Sequence, residues 1–278
     1  MSLARATRSE LTKQFTTSQW WVLALVLIVY VGSTAGGLAA VFGAVSSGAM
    51  PDSGANTPSI PADILPPIIY SLATAVGYIF PLLIGTLVVT GEFRHKTLTP
   101  TFLATPRRGV ALTGKALSGI LMGLLYAAVA VVSTVGPGAG ILALFDIDTR
   151  LGDPDIWAML GRIVLAFVLW VLIGIGIGTL VRNQVAAVVG VIVFTQFLEP
   201  ILRTVAGFVD GVSEAARFLP GATSDALVGA SLYTSLGGAT GGATAEPLEW
   251  WIGGLVLLAY AVVLLVLGYL VSWRRDVS

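Results

Sequence analysis

Residues 157–181 read WAMLGRIVLAFVLWVLIGIGIGTLV and carry a single charge, Arg162. As an α-helix rising about 1.5 Å per residue, this run spans the roughly 30 Å hydrocarbon core of a bilayer. Five further runs share its length and apolarity, giving six expected transmembrane helices at Trp20–Val45, Pro67–Thr90, Ala116–Val135, Trp157–Val181, Val185–Val205 and Trp250–Ser272. The fifth is the least regular, because its apolar run stops near Phe197 and Gln196, Glu199, Pro200 and Arg203 interrupt it. A break is expected there before the far interface.

The whole composition agrees. Of 278 residues, 56% are hydrophobic and only 11% charged, with a mean hydropathy of +0.90, too apolar for a water-soluble domain of this length. The fold class is therefore all-α integral membrane, with residues 1–278 as one membrane domain. Formal net charge is zero, so nothing resembles the basic excess that grips nucleic acid. Cys is absent, which excludes disulfides, thiolate metal sites and cysteine nucleophiles.

Orientation follows from Lys and Arg, which accumulate on the cytoplasmic side. Arg5, Arg8, Lys13, Arg94, Lys96, Arg107, Arg108, Lys115, Arg182, Arg274 and Arg275 fall on one side, leaving only Arg150, Arg162, Arg203 and Arg217 of the 15 opposite. Both termini are thus expected in the cytoplasm. Six of the 7 Trp, at 20, 21, 157, 250, 251 and 273, sit at expected span ends, where an amphipathic ring prefers the headgroup layer. The first apolar run is too long for the 7 to 15 residues of a signal-peptide core. It is expected to remain as a helix.

Residues 1–19 are polar and basic, with Leu3, Leu11 and Phe15 spaced along them, and suggest an interfacial helix entering the bilayer through Trp20 and Trp21. SSGAMPDSGANTPSIP (46–61) reads as an outer loop. Residues 206–249 mix short helical stretches with a GGATGGAT linker.

The longest cytoplasmic connection, 91–115, is GEFRHKTLTPTFLATPRRGVALTGK. A short helix between Lys96 and Thr105 would gather Leu98, Phe102 and Leu103 into one apolar patch, with Pro100 tolerated in its first turn and Pro106 ending it. Basic residues flank that patch. Such a helix suits either an anionic leaflet or a groove on a soluble partner.

This loop, with TLTPTFLATPRR (97–108) at its centre, resembles that of permeases of the type 2 ABC transporter family, particularly actinobacterial ones. RSELTKQFTTSQWW (8–21), Glu92-Phe93-Arg94, Lys115 at the start of the third helix and FLPGATSDALVG (218–229) extend the resemblance along the chain. It implies six helices per subunit, a homodimer or heterodimer of permeases, two copies of a cytoplasmic ABC ATPase, and a loop helix that couples to them. Short re-entrant helices would precede the sixth span on the outer side. ATP and Mg would bind in the partner ATPase, with no cofactor held by this chain, and the cargo would be a lipophilic or amphipathic small molecule exported from the cell, a drug, antibiotic or lipid. The coupling residues implied are Glu92, Arg94, Thr97, Leu98, Phe102, Pro106, Arg107 and Arg108, for which plain positive-inside anchoring is the competing account. The sequence departs from many relatives at His95 and Lys96, where a small residue such as Gly is common.

Other constellations carry two readings each. Gln196, Glu199 and Arg203 would share a polar face, either an outer gate or an ion pair where the fifth helix ends. Tyr70, Tyr78, Phe80, Phe194 and Phe197 would line a substrate path or simply pack. GVALTGKA (109–116) lacks the Ser or Thr of a phosphate-binding loop, which leaves Lys115 as an anchor at the inner interface. Arg162 is expected to snorkel to the outer headgroups. His95, the single His, has no metal-binding partners in its loop. Gly32 with Gly36, Gly119 with Gly123, and Gly174 with Gly178 have the small-xxx-small spacing of close helix contacts, within or between subunits.

The competing class is an ion-coupled carrier or channel, which would place ionisable residues inside several spans. A membrane enzyme would need a nucleophile–base set or metal ligands that this sequence lacks.

Overall fold

The computed structural model describes residues 2–48, 61–104, 107–206, 212–231, 235 and 248–273. Among the described residues the secondary structure is helical, without strands, and six helices are long and apolar enough to cross a membrane. A short helix, α1 (Leu3–Thr16), precedes the first span, α2 (Gln19–Ser46). The second consists of α3 (Leu65–Ala75) and α4 (Ile79–Arg94) joined through one turn. After α5 (Leu98–Ala104) come α6 (Arg108–Leu144) and α7 (Pro154–Leu180). The fifth span combines α8 (Gln184–Val193), a π-helical stretch over Phe194–Leu198 and α9 (Glu199–Ala206). Two short helices, α10 (Val212–Ala216) and α11 (Pro220–Val228), come before α12 (Trp250–Gly268), which ends in a π-helical turn, Tyr269–Trp273.

The starts of the helices are written locally. Asp153 caps α7 by accepting Asp155 N–H at 2.9 Å, with Pro154 in the first turn, and Asn183 caps α8 through Val185 and Ala186 N–H. Two spans differ from expectation. The third does not stop at Val135 but continues through Pro137 to Leu144. Proline leaves the carbonyl four residues earlier, Ser133 O, without its helical donor. Gly32 of α2 approaches that same carbonyl: a Cβ on Gly32 would lie 3.2 Å from it.

The fifth span does not break at Pro200. The π-helical stretch widens the helix just before the proline, and Glu199 N–H bonds Phe194 O five residues back. The next carbonyl in that pattern, Thr195 O, would need an N–H from Pro200, which has none. Tyr78 of the preceding turn donates its hydroxyl to Thr195 O instead, at 3.0 Å.

The core is built on α7. It packs against α4, α6 and α12, while α2 lies on α6 and α8 lies on α4. Contact between α4 and α7 requires glycine: a Cβ on Gly85 would sit 2.2 Å from Val171 O, and one on Gly174 would sit 2.2 Å from Leu82 O. Gly178 faces Thr86, Gly119 and Gly123 face α7, and Gly36 faces α6. All three small-xxx-small pairs therefore serve contacts within the chain. Around this core, Leu25 and Val29 of α2, Val189 and Ile201 of the fifth span, and Leu255 and Val263 of α12 are exposed, as lipid contact demands.

Candidate functional site

Four charged side chains close a ring at the end of the bundle where α1, the end of α4 and the start of α6 meet. Lys115 Nζ donates to Glu10 Oε2 at 2.6 Å and pairs with Glu92 Oε1 at 2.9 Å. Lys13 Nζ bonds Glu10 Oε1 and Glu92 Oε1, each at 2.8 Å. The signs alternate and cancel, which is how Glu10, Glu92 and Lys115 can be held away from water while Lys13 closes the ring at its half-exposed edge. Lys115 is 0% exposed, so its ammonium meets carboxylates rather than water. It lies on the inward face of α6, and two carboxylates hold its ammonium there.

The ring explains how α1 sits. Its buried residues are Ala6, Glu10 and Gln14, whereas Leu3 and Phe15 are exposed. The helix thus turns a small and polar stripe inward and its apolar residues outward. This is favourable because α6 supplies matching partners: Gly114 admits Ala6, and Gln14 donates to Ser118 Oγ at 3.0 Å. Burial raises the Glu10 carboxyl, but the charge of Lys115 and hydrogen bonds from Lys115 and Lys13 outweigh it, leaving Glu10 below its usual value of 4.5. For Lys13, burial acts downward, but hydrogen bonds to Glu10 and Glu92 prevail and raise it above 10.5.

Helix α5 rests on this assembly. Its range, Leu98–Ala104, lies within the Lys96–Thr105 window read from sequence. Lys96 turns the chain into it with a left-handed φ of 54°, the conformation glycine adopts without cost. Leu98 is buried and Phe102 packs edge-on against Trp273, with ring centroids 5.3 Å apart. Leu103 is 79% exposed, so the patch is divided between the two faces. The Thr101 hydroxyl donates to Thr97 O at 2.9 Å and accepts from Lys13 at 3.3 Å, which joins α5 to the ring. Arg108 lies over the Phe102 ring and donates to Trp273 O at 2.9 Å. One short helix therefore touches the ends of the second, third and sixth spans.

Of the residues singled out in this region, Glu92, Leu98, Phe102 and Arg108 point into the assembly. Arg94, Thr97 and Arg107 are exposed beside them, and Pro106 lies outside the described residues. Glu10, Lys13 and Thr101 were missed as site residues. The signal was present: Ala6, Glu10, Lys13 and Gln14 follow i, i+4, i+7, i+8 spacing, the stripe of a packed helix.

A second polar cluster occupies the opposite end. Glu199 is 1% exposed, and its Oε1 accepts Gly221 N–H at the start of α11. Arg203 bonds Asp225 of α11 at 2.6 Å, and Ser231 donates to the same carboxylate at 2.9 Å. The ion pair therefore runs between elements rather than along one face of the fifth helix. Helix α11 is buried over nearly its full length, with Trp170 Nε1 donating to Ser224. Arg162 stacks over Trp250 at 4.9 Å, a cation–π contact in addition to its position near the span end.

The aromatic set does not converge. Tyr70 is buried and donates to Thr149 O, Tyr78 stacks with Trp170 at 4.5 Å, and Phe80 lies in the core beside Tyr30. Phe194 is half-buried, whereas Phe197 is 61% exposed. Among the described residues no three His, Asp or Glu side chains gather as metal ligands. The GGATGGAT linker, most of the 46–61 loop and residues 274–278 fall outside the described residues. No protein-family model matches the chain, and no curated protein is similar enough to match it.

Proposed function

We propose that this chain is the membrane-spanning subunit of an ATP-driven exporter of the type 2 ABC class, moving a lipophilic or amphipathic small molecule out of a bacterial cell. Both termini and α5 face the cytoplasm, and two permease copies work with two copies of a separate ATPase that binds ATP and Mg. The carrying observation is the seating of α5: its inner side is fixed by Leu98, Phe102 and Thr101 to three spans and the ionic ring, while Arg94, Thr97, Leu103 and Arg107 remain exposed. A helix held this way transmits force from a docked partner to the spans it touches. ATP-driven closure of the partner would move α5 and the ring together and shift the permease pair towards an outward-open state. The short helices α10 and α11 would form the outer re-entrant segment. This chain itself performs no covalent chemistry.

The test is co-expression with the ATPase encoded beside it and purification through a tag on the permease, with charge reversals at Arg94 and Arg107. Recovery of the ATPase with the unaltered chain, and its loss in the reversed one, is the expected outcome. If no ATPase co-purifies with the unaltered chain, the exporter reading fails.

A further inference from the structure

The cluster around Glu199 brings together two carboxylates, those of Glu199 and Asp225, and the guanidinium of Arg203. Arg203 places its ion pair on Asp225, at 2.6 Å. Among the described residues no cation lies within ion-pair distance of Glu199, whose Oε2 is buried and has no hydrogen-bond partner. The carboxylate lies flat on Gly221, where an added Cβ would meet Oε1 at 2.5 Å and Oε2 at 3.1 Å. An orphaned carboxylate oxygen at this depth is costly, and a positively charged N–H donor is the chemistry that satisfies it. The surroundings indicate where that donor comes from. Phe197, Leu198, Ile201, Leu202 and Val205 are exposed on both sides of Glu199 in sequence, on a span suited to lipid contact. Glu199 lies seven residues from the end of the span at Ala206, about 10 Å of helix. An amphiphile with its tail in the bilayer carries its headgroup at that level.

We propose that Glu199 is the acceptor for the ammonium group of a lipophilic amine that reaches it sideways from the bilayer. The alkyl or aromatic body lies along the exposed apolar face of α9, and the ammonium N–H donates to Oε2, while Gly221 N–H continues to hold Oε1. Access requires the part of α11 beyond Gly221 to swing from the fifth span, about the Gly221 N–H bond to Oε1 that stays in place. As a cargo class this rests on the exporter reading; as a binding site it does not.

The purified full chain in nanodiscs of uncharged lipid, without any ATPase, is titrated with a dansyl-labelled primary alkylammonium and with the dansyl-labelled alcohol of equal length, against empty nanodiscs. The unaltered chain is expected to prefer the ammonium by about tenfold or more, as one charged hydrogen bond implies. Glu199→Gln should abolish that preference and leave the alcohol unchanged, and Glu199→Asp should retain part of it. Equal binding of ammonium and alcohol by the unaltered chain overturns the proposal whether or not the variants fold, as does a preference that survives Glu199→Gln. Failure of ATPase co-purification would remove the exporter reading and leave this measurement untouched.

Discussion

Lys115 Nζ sits 2.6 Å from Glu10 Oε2 across 105 residues of chain, joining the third span to the helix that precedes the first. Substituting one member of a buried pair leaves its partner charged and unmatched, which costs roughly 3–5 kcal/mol. Lys115→Met should therefore destabilise the protein strongly in thermal unfolding. Lys115→Met combined with Glu10→Gln should recover a measurable part of the loss, because the ring is again electrically balanced. A double substitution that merely adds the two single effects would show that the two side chains are not coupled.

The ring also sets a pH window. Glu10 is lower in the folded protein than its ordinary 4.5, so its contribution is present above that value and is lost as pH falls through the folded one. Lys13 is raised above 10.5, so its contribution is present below that value and is lost as pH rises through the folded one. Helix α1 should stay docked across the neutral range and loosen first under acid. Amide exchange in residues 3–16, corrected for intrinsic rates, should rise in acid in the unaltered chain. Glu10→Gln should flatten that rise, and an unchanged acid response in the variant would contradict the assignment.

The six spans were legible because a helix that crosses hydrocarbon must be long and continuously apolar, a constraint that the sequence alone exposes. The ring was not legible in the same way. Glu10 and Lys115 each look like ordinary interface charges, and only the tertiary meeting of α1 with α6 makes them a pair. The end of the third span at Val135, and the break expected in the fifth, were misjudged for a related reason. A proline is read as a breaker, but the neighbouring helix or hydroxyl that compensates for it is invisible in one dimension. The polar set in the fifth helix was found, yet its partners lie in α11, 22 residues away.

Glycine at the α4–α7 crossing gives a third expectation. Gly174→Ala would drive a methyl to 2.2 Å from Leu82 O, and a backbone carbonyl in a packed helix does not move aside as a side-chain tip does. Overpacking of this kind costs about 1–3 kcal/mol, occasionally more. Gly190→Ala in the fifth span meets nothing within 4 Å, and as a surface change should stay within about 0.5 kcal/mol. Melting temperatures of the two variants in the same detergent should separate clearly. Equal melting would mean that the helices do not approach this closely.

Lys96 offers a stabilising change. A left-handed residue other than glycine costs about 1–2 kcal/mol, partly offset by the roughly 0.5–1 kcal/mol that glycine loses in added unfolded-state freedom. Lys96→Gly should therefore raise thermal stability slightly and leave α5 in place. A fall in melting temperature would show that the lysine side chain contributes more than its backbone conformation costs.

Tyr78 and Pro200 supply the sharpest test of the fifth span. Thr195 O lacks a helical donor because Pro200 has no N–H, and the Tyr78 hydroxyl fills that vacancy at 3.0 Å. Tyr78→Phe keeps the ring and its stacking on Trp170 while orphaning the carbonyl, a loss of about 1–3 kcal/mol for a buried group. Pro200→Ala restores an amide that can reach back to Thr195 O, so the tyrosine hydroxyl should matter less in that background. The expected result is a smaller penalty for Tyr78→Phe when alanine occupies position 200 than when proline does, read from denaturation of all four proteins. Equal penalties in both backgrounds would mean that the hydroxyl stabilises the helix by some route other than the carbonyl that proline leaves open.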